Sequence, residues 1–228
     1  MRVAILSDIH GNLPALEAVV ADVKHQSPDQ IWCGGDLAWG GPWPSECIAR
    51  VRDSGWTTVR GNTDVWITGD PQTIQDNKKR KEVADLAAAH EISDLDAQWL
   101  LNLPIGHNGP GSVLLVHGTP HSPFEAPEPD APVGEFGIYE GKASLVVYGH
   151  VHIAFSRRLS EGTLVSNPGA VGLPKDGPTA SYLLVDQKGP DLLLSHRRVG
   201  FDIDAAISEA KNKGGLVAES FIEGMRDL

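Results

Sequence analysis

Val3-Ala4-Ile5-Leu6-Ser7-Asp8-Ile9-His10-Gly11-Asn12 begins with four apolar residues that give way to a carboxylate and then an imidazole. A short apolar run bounded by polar residues reads as a buried strand. Leu13, Leu16, Val19, Val20 and Val23 then recur at the spacing of one helix face. Ser27-Pro28-Asp29 marks a turn before a second short strand at residues 31–33. A helix from about Ser45 to Arg52 and a third strand at residues 57–59 complete the opening sixty residues. Strand–helix–strand units of this length pair in parallel through right-handed crossovers, which makes this an α/β protein.

Residues 70–103 read as largely helical and polar, closing on a Leu95, Trp99, Leu100, Leu103 stripe before Pro104. The second half is richer in strands, expected at residues 113–116, 145–148, 153–158, 163–166, 180–185 and 192–196. Residues 202–211 and 216–225 read as closing helices. Between the halves, Thr119 to Val133 carries prolines at 120, 123, 127, 129 and 132 and is expected to be an ordered surface loop or a lid. No internal repeat or linker divides the 228 residues, so one domain over residues 1–228 is expected.

The charge balance, Lys+Arg 19 against Asp+Glu 30, leaves a net −11 that repels long nucleic acid while permitting a local cationic site for a small anion. The apolar run at residues 3–6 is too short for a signal peptide, and no stretch reaches membrane-spanning length, so a cytoplasmic protein is expected. Cys33 and Cys47 lack CxxC spacing and read as unpaired thiols, Cys33 filling a buried strand.

Ligand-capable side chains stand just past the expected strands. Asp8 and His10 follow the first, Asp36 the second, Asn62 the third, His117 the strand at 113–116, and His150 with His152 the strand at 145–148. The carboxyl edge of an α/β sheet is where ligand sites form, so these seven groups are expected to converge. An oxygen and nitrogen donor set without thiolate favours borderline divalent ions, and seven donors suit two ions sharing a carboxylate. Asp8-x-His10 and His150-x-His152 place donors at alternate positions, on one side of an extended chain. Gly34-Gly35 and Gly61 are expected to supply tight turns at the site. His25, His90 and His196 are assigned to a helix surface or strand edge, and His107 to a turn before Gly109 and Pro110.

Asp8-Ile9-His10-Gly11-Asn12, Gly35-Asp36, Gly61-Asn62-Thr63-Asp64, His117-Gly118 and Gly149-His150-Val151-His152 resemble, in order, the signature of the calcineurin-like metallophosphoesterases. With Asn167-Pro168-Gly169-Ala170-Val171-Gly172, the likeness is greatest to the small bacterial and archaeal phosphodiesterases of that superfamily. The resemblance implies a four-layer α/β/β/α sandwich, two mixed sheets with helices outside. It implies one ion on Asp8, His10, Asp36 and His152 and a second on Asp36, Asn62, His117 and His150, with Asp36 bridging. Mn²⁺ is the expected ion, with Fe²⁺, Zn²⁺, Ni²⁺ and Co²⁺ as alternatives.

The expected reaction is hydrolysis of phosphodiester or other activated phosphate ester bonds by a hydroxide held on the two metals, Asn62 helping to neutralise the nonbridging oxygens. Asp64 is expected to orient a neighbouring ligand or loop. Asn12 is a candidate for contact with a phosphate oxygen, and His121 and Glu125, beyond His117-Gly118, are candidates to contact substrate or supply a proton. Many members carry His where this chain has Thr63, whose hydroxyl cannot supply a proton near neutral pH. Substrates with good leaving groups are therefore expected. Two rival readings are a diadenosine-polyphosphate or phosphoprotein phosphatase on the same site, and a noncatalytic interaction scaffold with this fold.

Overall fold

A computed structural model describes residues 1–69, 71, 73–189 and 191–226. In chain order its strands are β1 (Arg2–Leu6), β2 (Gln30–Cys33), β3 (Thr57–Thr58), β4 (Gly106–Gly109), β5 (Val113–Val116), β6 (Leu145–Tyr148), β7 (Ala154–Arg158), β8 (Leu164–Pro168), β9 (Ala180–Lys188) and β10 (Asp191–Val199). They form two mixed five-stranded sheets, ordered β10-β9-β1-β2-β3 and β4-β5-β6-β8-β7. The β1, β2 and β3 strands are parallel to one another, as are β5, β6 and β8; antiparallel pairing continues beyond β1 in the first sheet and on both sides of the parallel set in the second.

Period-two alternation explains why the apolar runs are continuous. Val3 and Ile5 of β1 pack between the sheets with Val113, Leu115, Leu145 and Val147. Ala4 and Leu6, on the opposite face of the same strand, pack under helices. A strand covered on both sides needs apolar residues at every position, and each fully buried Val, Leu or Ile stabilises by roughly 1.5–3 kcal/mol.

The helices are α1 (Leu13–Gln26), α2 (Pro44–Asp53), α3 (Asn62–Trp66), α4 (Asn77–Ala89), α5 (Asp94–Leu101), α6 (Ile203–Lys213) and α7 (Gly215–Arg226). Leu16, Ile48, Leu100, Ala206 and Phe221 bring α1, α2, α5, α6 and α7 onto the outer face of the first sheet. Over the second sheet the layer is thinner, formed by a 3-10 helix at Val133–Tyr139 whose Phe136 and Tyr139 pack on Val146 and Tyr148. The Pro-rich segment before it is an ordered loop. Its carbonyls accept from side chains, Tyr148 Oη to Pro127 at 2.8 Å and Arg157 to Pro129 and Ala131 at 2.8 and 3.1 Å.

Several local expectations are corrected. His107 lies in β4, paired opposite Leu115, with its ring edge-on to Trp32 at 5.0 Å. Leu95 is 75% exposed and leaves Leu100 as the buried member of its stripe. His90, far from a helix surface, is buried at the end of α4, where Nε2 accepts from Gly40 N at 2.8 Å and the ring stacks on Trp39. Positions 70 and 72, within the stretch expected to be helical, lie outside the described residues. Cys33 and Cys47 are both buried and unpaired.

Candidate metal centre

The donors leave the carboxyl ends of strands from both sheets, so the site sits at one end of the sandwich and not on a single sheet edge. Backbone bonds cross-tie the loops: Asp8 N donates to Gly35 O and His10 N to Asp36 O, each at 3.0 Å. The Asp64 carboxylate accepts from Asp36 N, Leu37 N and Gly61 N at 2.9, 2.8 and 2.8 Å, joining the β2 and β3 loops. From the second sheet, His150 N donates to the Asp8 carboxylate at 3.2 Å. The Asn167 amide donates to Gly149 O at 2.5 Å, holding the 149–152 loop from β8.

Asp8, His10, Asp36, His150 and His152 all have positive φ, between 49° and 70°. Left-handed backbone at non-glycine residues costs on the order of 1–3 kcal/mol each and persists where the surroundings over-determine it. The expectation of extended Asp8–His10 and His150–His152 segments is therefore corrected. Gly61 is also corrected: its φ is −90°, and what requires glycine there is space, since a Cβ would collide with the Asp36 carboxylate.

Asp8, His10, Asp36 and His152 each present a ligand atom, all within 4.8 Å of one another, and all four residues are buried. His10 and His152 bring their Nε2 atoms to 3.1 Å. His152 Nε2 is 3.2 Å from Asp8 Oδ1, and His10 Nε2 is 3.6 Å from Asp36 Oδ2. A second convergence lies across Asp36, whose Oδ2 is also 3.5 Å from His117 Nε2. There Asn62 Oδ1 is 2.9 Å from His117 Nε2 and 3.0 Å from His150 Nδ1. The two histidines of His150-Val151-His152 are thus divided between the two groups.

The donor chemistry fits cations. His10 Nδ1 donates to Trp39 O at 2.8 Å and His152 Nδ1 to Leu173 O at 2.7 Å. With Nδ1 committed to a carbonyl, each ring turns its Nε2 toward the other ring and toward carboxylate oxygens. His117 is oriented in the same way, Nδ1 donating to Gly34 O at 2.7 Å. Converging lone pairs and carboxylates are what a divalent ion requires, with backbone carbonyls fixing each tautomer.

Charge is unevenly shared. Burial opposes ionisation of Asp8, yet His152, His117 and His10 hold its carboxyl below the usual range. Burial, and then the charge of Asp36, pushes Asp64 up to about 6 against the hydrogen bonds from Leu37 and Gly61. Burial and then His117 push His150 down to about 4. Burial and then His152 lower His10. His117 is raised because Asp36 and Asp8 outweigh its burial.

Other candidates lie elsewhere. Asn12 is fully buried as the cap of α1, its Oδ1 accepting from Ala15 N at 3.1 Å and its amide donating to Gly172 O at 2.9 Å. Those bonds occupy the group expected to meet a phosphate, so its place in the structure is that of a cap. His121 is exposed on the 119–122 turn, and Glu125 is exposed further along the same loop. Thr63 is buried beside the site; its N–H donates to Asp36 Oδ1 at 2.9 Å, and its hydroxyl has no partner among the described residues. Trp39 and Leu173, whose carbonyls orient His10 and His152, escaped sequence reasoning because a backbone acceptor leaves no mark on residue type.

A model of the calcineurin-like phosphoesterase superfamily domain matches residues 1–189. The chain belongs to that superfamily. An uncharacterised protein of Methanocaldococcus jannaschii is 33% identical, over 92% of this chain and 93% of its own. The phosphodiesterase YfcE of Escherichia coli K12 is 26% identical, over 82% of this chain and 88% of its own. The crystal structure of a metallophosphoesterase from Sphaerobacter thermophilus superposes with a TM-score of 0.79 at 27% identity, covering 99% of both chains. This calcineurin-like phosphoesterase is a hydrolase acting on phosphate esters, and its buried Asp/His group fits the divalent metals that the family uses.

Proposed function

We propose that the chain is a dinuclear phosphodiesterase, a single domain over residues 1–228 that acts in the cytoplasm on small phosphorylated molecules. One ion would sit on Asp8, His10, Asp36 and His152, the other on Asp36, Asn62, His117 and His150. Mn²⁺ is the ion of choice, with Fe²⁺, Zn²⁺, Ni²⁺ or Co²⁺ able to use the same mixed donors. The observation that carries this reading is the position of Asp36, whose Oδ2 lies 3.6 and 3.5 Å from imidazoles of the two groups.

Bound there, two divalent ions supply an activated water and neutralise charge on phosphoryl oxygens. The chain does the positioning. Trp39 O, Leu173 O and Gly34 O hold three imidazoles in one tautomer. Asp64 fixes the backbone beneath Asp36 and ahead of Asn62, and the Asn62 amide stands beside His117 and His150, where phosphoryl oxygens would approach. Thr63 occupies the position at which many relatives place an imidazole, so diesters with good leaving groups, aryl or nucleotidyl, are the substrates this site handles best. The net charge of −11 favours small substrates over long nucleic acid.

Metal-stripped protein reloaded with Mn²⁺ should bind two ions per chain by elemental analysis and hydrolyse bis(4-nitrophenyl) phosphate. Asp36→Ala should lose both ions together with turnover. Retention of one tightly held ion by that variant would sink the bridging assignment.

A further inference from the structure

Beside the Asp8–His10–Asp36–His152 group lies a cleft of about 370 Å³, within the roughly 300–1,000 Å³ of sites that take small organic ligands. Its lining runs from His10, His152 and Thr63 to the apolar side chains of Trp39, Leu173 and Phe221. Trp39 and Leu173 are the residues whose carbonyls take the Nδ1 protons of His10 and His152. The apolar lining is therefore fastened to the donor imidazoles by hydrogen bonds of 2.8 and 2.7 Å. Movement of either would disturb the other.

Charge points the same way. Among the described residues no carboxylate lines the cleft, although the chain carries a net −11. Lys175 is its one ammonium, and its backbone N–H donates to His152 O at 3.1 Å. The Thr63 hydroxyl, buried and without a partner among the described residues, belongs to the same lining. An anion carrying a flat apolar group matches this combination: the half-buried Trp39 and Leu173 present apolar surface to the cleft, and Phe221, nearly buried in the core, forms part of its wall. Ser220, Phe221 and Gly224 come from α7. That helix lies beyond residues 1–189, the portion shared with the superfamily model.

We infer that this cleft seats an aromatic substituent of the phosphate ester, an aryl ring or a nucleobase, and that α7 is the specificity element. The inference rests on the phosphodiesterase reading for the identity of the substrate, and its test reads binding.

The Mn²⁺-loaded protein is titrated calorimetrically with phenylphosphonate and with methylphosphonate, which share a head group and differ only in the substituent. Phenylphosphonate should bind about tenfold more tightly or better, as expected for burying a ring. Ser220 is an exposed position of α7, so Ser220→Trp should fold and retain its metal. It should lose the aromatic preference by filling the cleft while still binding methylphosphonate. Adenosine 5′-monophosphate as a third ligand separates the two ring sources: tighter binding than phenylphosphonate assigns a nucleobase, weaker binding a simple aryl group. Dissociation constants for phenyl- and methylphosphonate within twofold, or a gap that survives Ser220→Trp, would overturn the inference. Activity on bis(4-nitrophenyl) phosphate without that gap defeats the cleft assignment alone. The gap in a protein inactive with every divalent ion defeats the phosphodiesterase reading alone.

Discussion

His10 and His152 meet Nε2 to Nε2 at 3.1 Å while each commits its Nδ1 to a backbone carbonyl. Two lone pairs so placed beside Asp8 and Asp36 repel unless a positive charge lies between them. Metal removal should therefore cost stability as well as activity. With free ion at about a hundred times Kd, linkage adds ~2.7 kcal/mol, and chelation should lower Tm by roughly 5–10 °C in a chain of this size. Scanning calorimetry before chelation, after it and after Mn²⁺ return checks this; an unchanged Tm in verified metal-free protein would refute it.

Asp64→Asn should weaken the centre without touching a donor. Asp64 accepts three backbone N–H groups, and an amide offers one acceptor oxygen and an NH₂ that clashes with the remaining donors. Supporting groups of this kind are worth about 10–100-fold in metal affinity or activity. Competition with a metallochromic chelator reads the affinity, and circular dichroism shows whether the fold is retained.

Thr63→His should leave two ions per chain, because the threonine contributes its backbone N–H to Asp36 and no ligand atom. An imidazole there adds a proton donor, so alkyl leaving groups should gain on the order of tenfold or more relative to 4-nitrophenolate. The ratio of kcat/KM values across a leaving-group series is the measurement. A large loss of metal would show that the coordination sphere is misassigned.

Asp176 holds the 173–176 segment in place, accepting from Ala154 N at 2.7 Å and from Arg198 at 2.6 and 2.5 Å. Burial works against its ionisation, but Arg198 and the Ala154 N–H outweigh burial and keep the carboxyl below its usual range. A folded-state pKa below the unfolded value contributes stability in full above the unfolded pKa of ~3.9, and that contribution disappears as pH falls through the folded value. Asp176→Asn should lower Tm by roughly 2–4 °C at pH 7. The difference from wild type should hold down to about pH 4 and narrow only below it; a difference that never narrows in acid would contradict the assignment.

The seven proposed donors were legible because each stands within a few residues of the end of a short expected strand, a boundary visible in residue types alone. The sheets were legible for the same reason: Val113–Val116 and Leu145–Tyr148 are buried on both faces and carry no polar interruption. β4 was not, since Gly106, Asn108 and Gly109 have poor strand propensity and only pairing with β5 makes them a strand. His90 looked like a helix-surface residue because its partners, Gly40 and Trp39, are fifty positions away. The left-handed loops were hidden too. Asp and His visit that region more often than most residues, but no residue type alone requires it, and here it is held by bonds between the two sheets such as His150 N to Asp8.

Five of the proposed donor residues hold a backbone posture that glycine adopts without steric strain. Replacing His150 by glycine, for example, relieves that posture while deleting a proposed ligand, so in metal-free protein some inactivating changes should leave a sturdier chain. Thermal selection on metal-stripped protein would then favour losing the proposed donors and sparing the strands beneath them. A stabilisation campaign on this chain has to score turnover in every round.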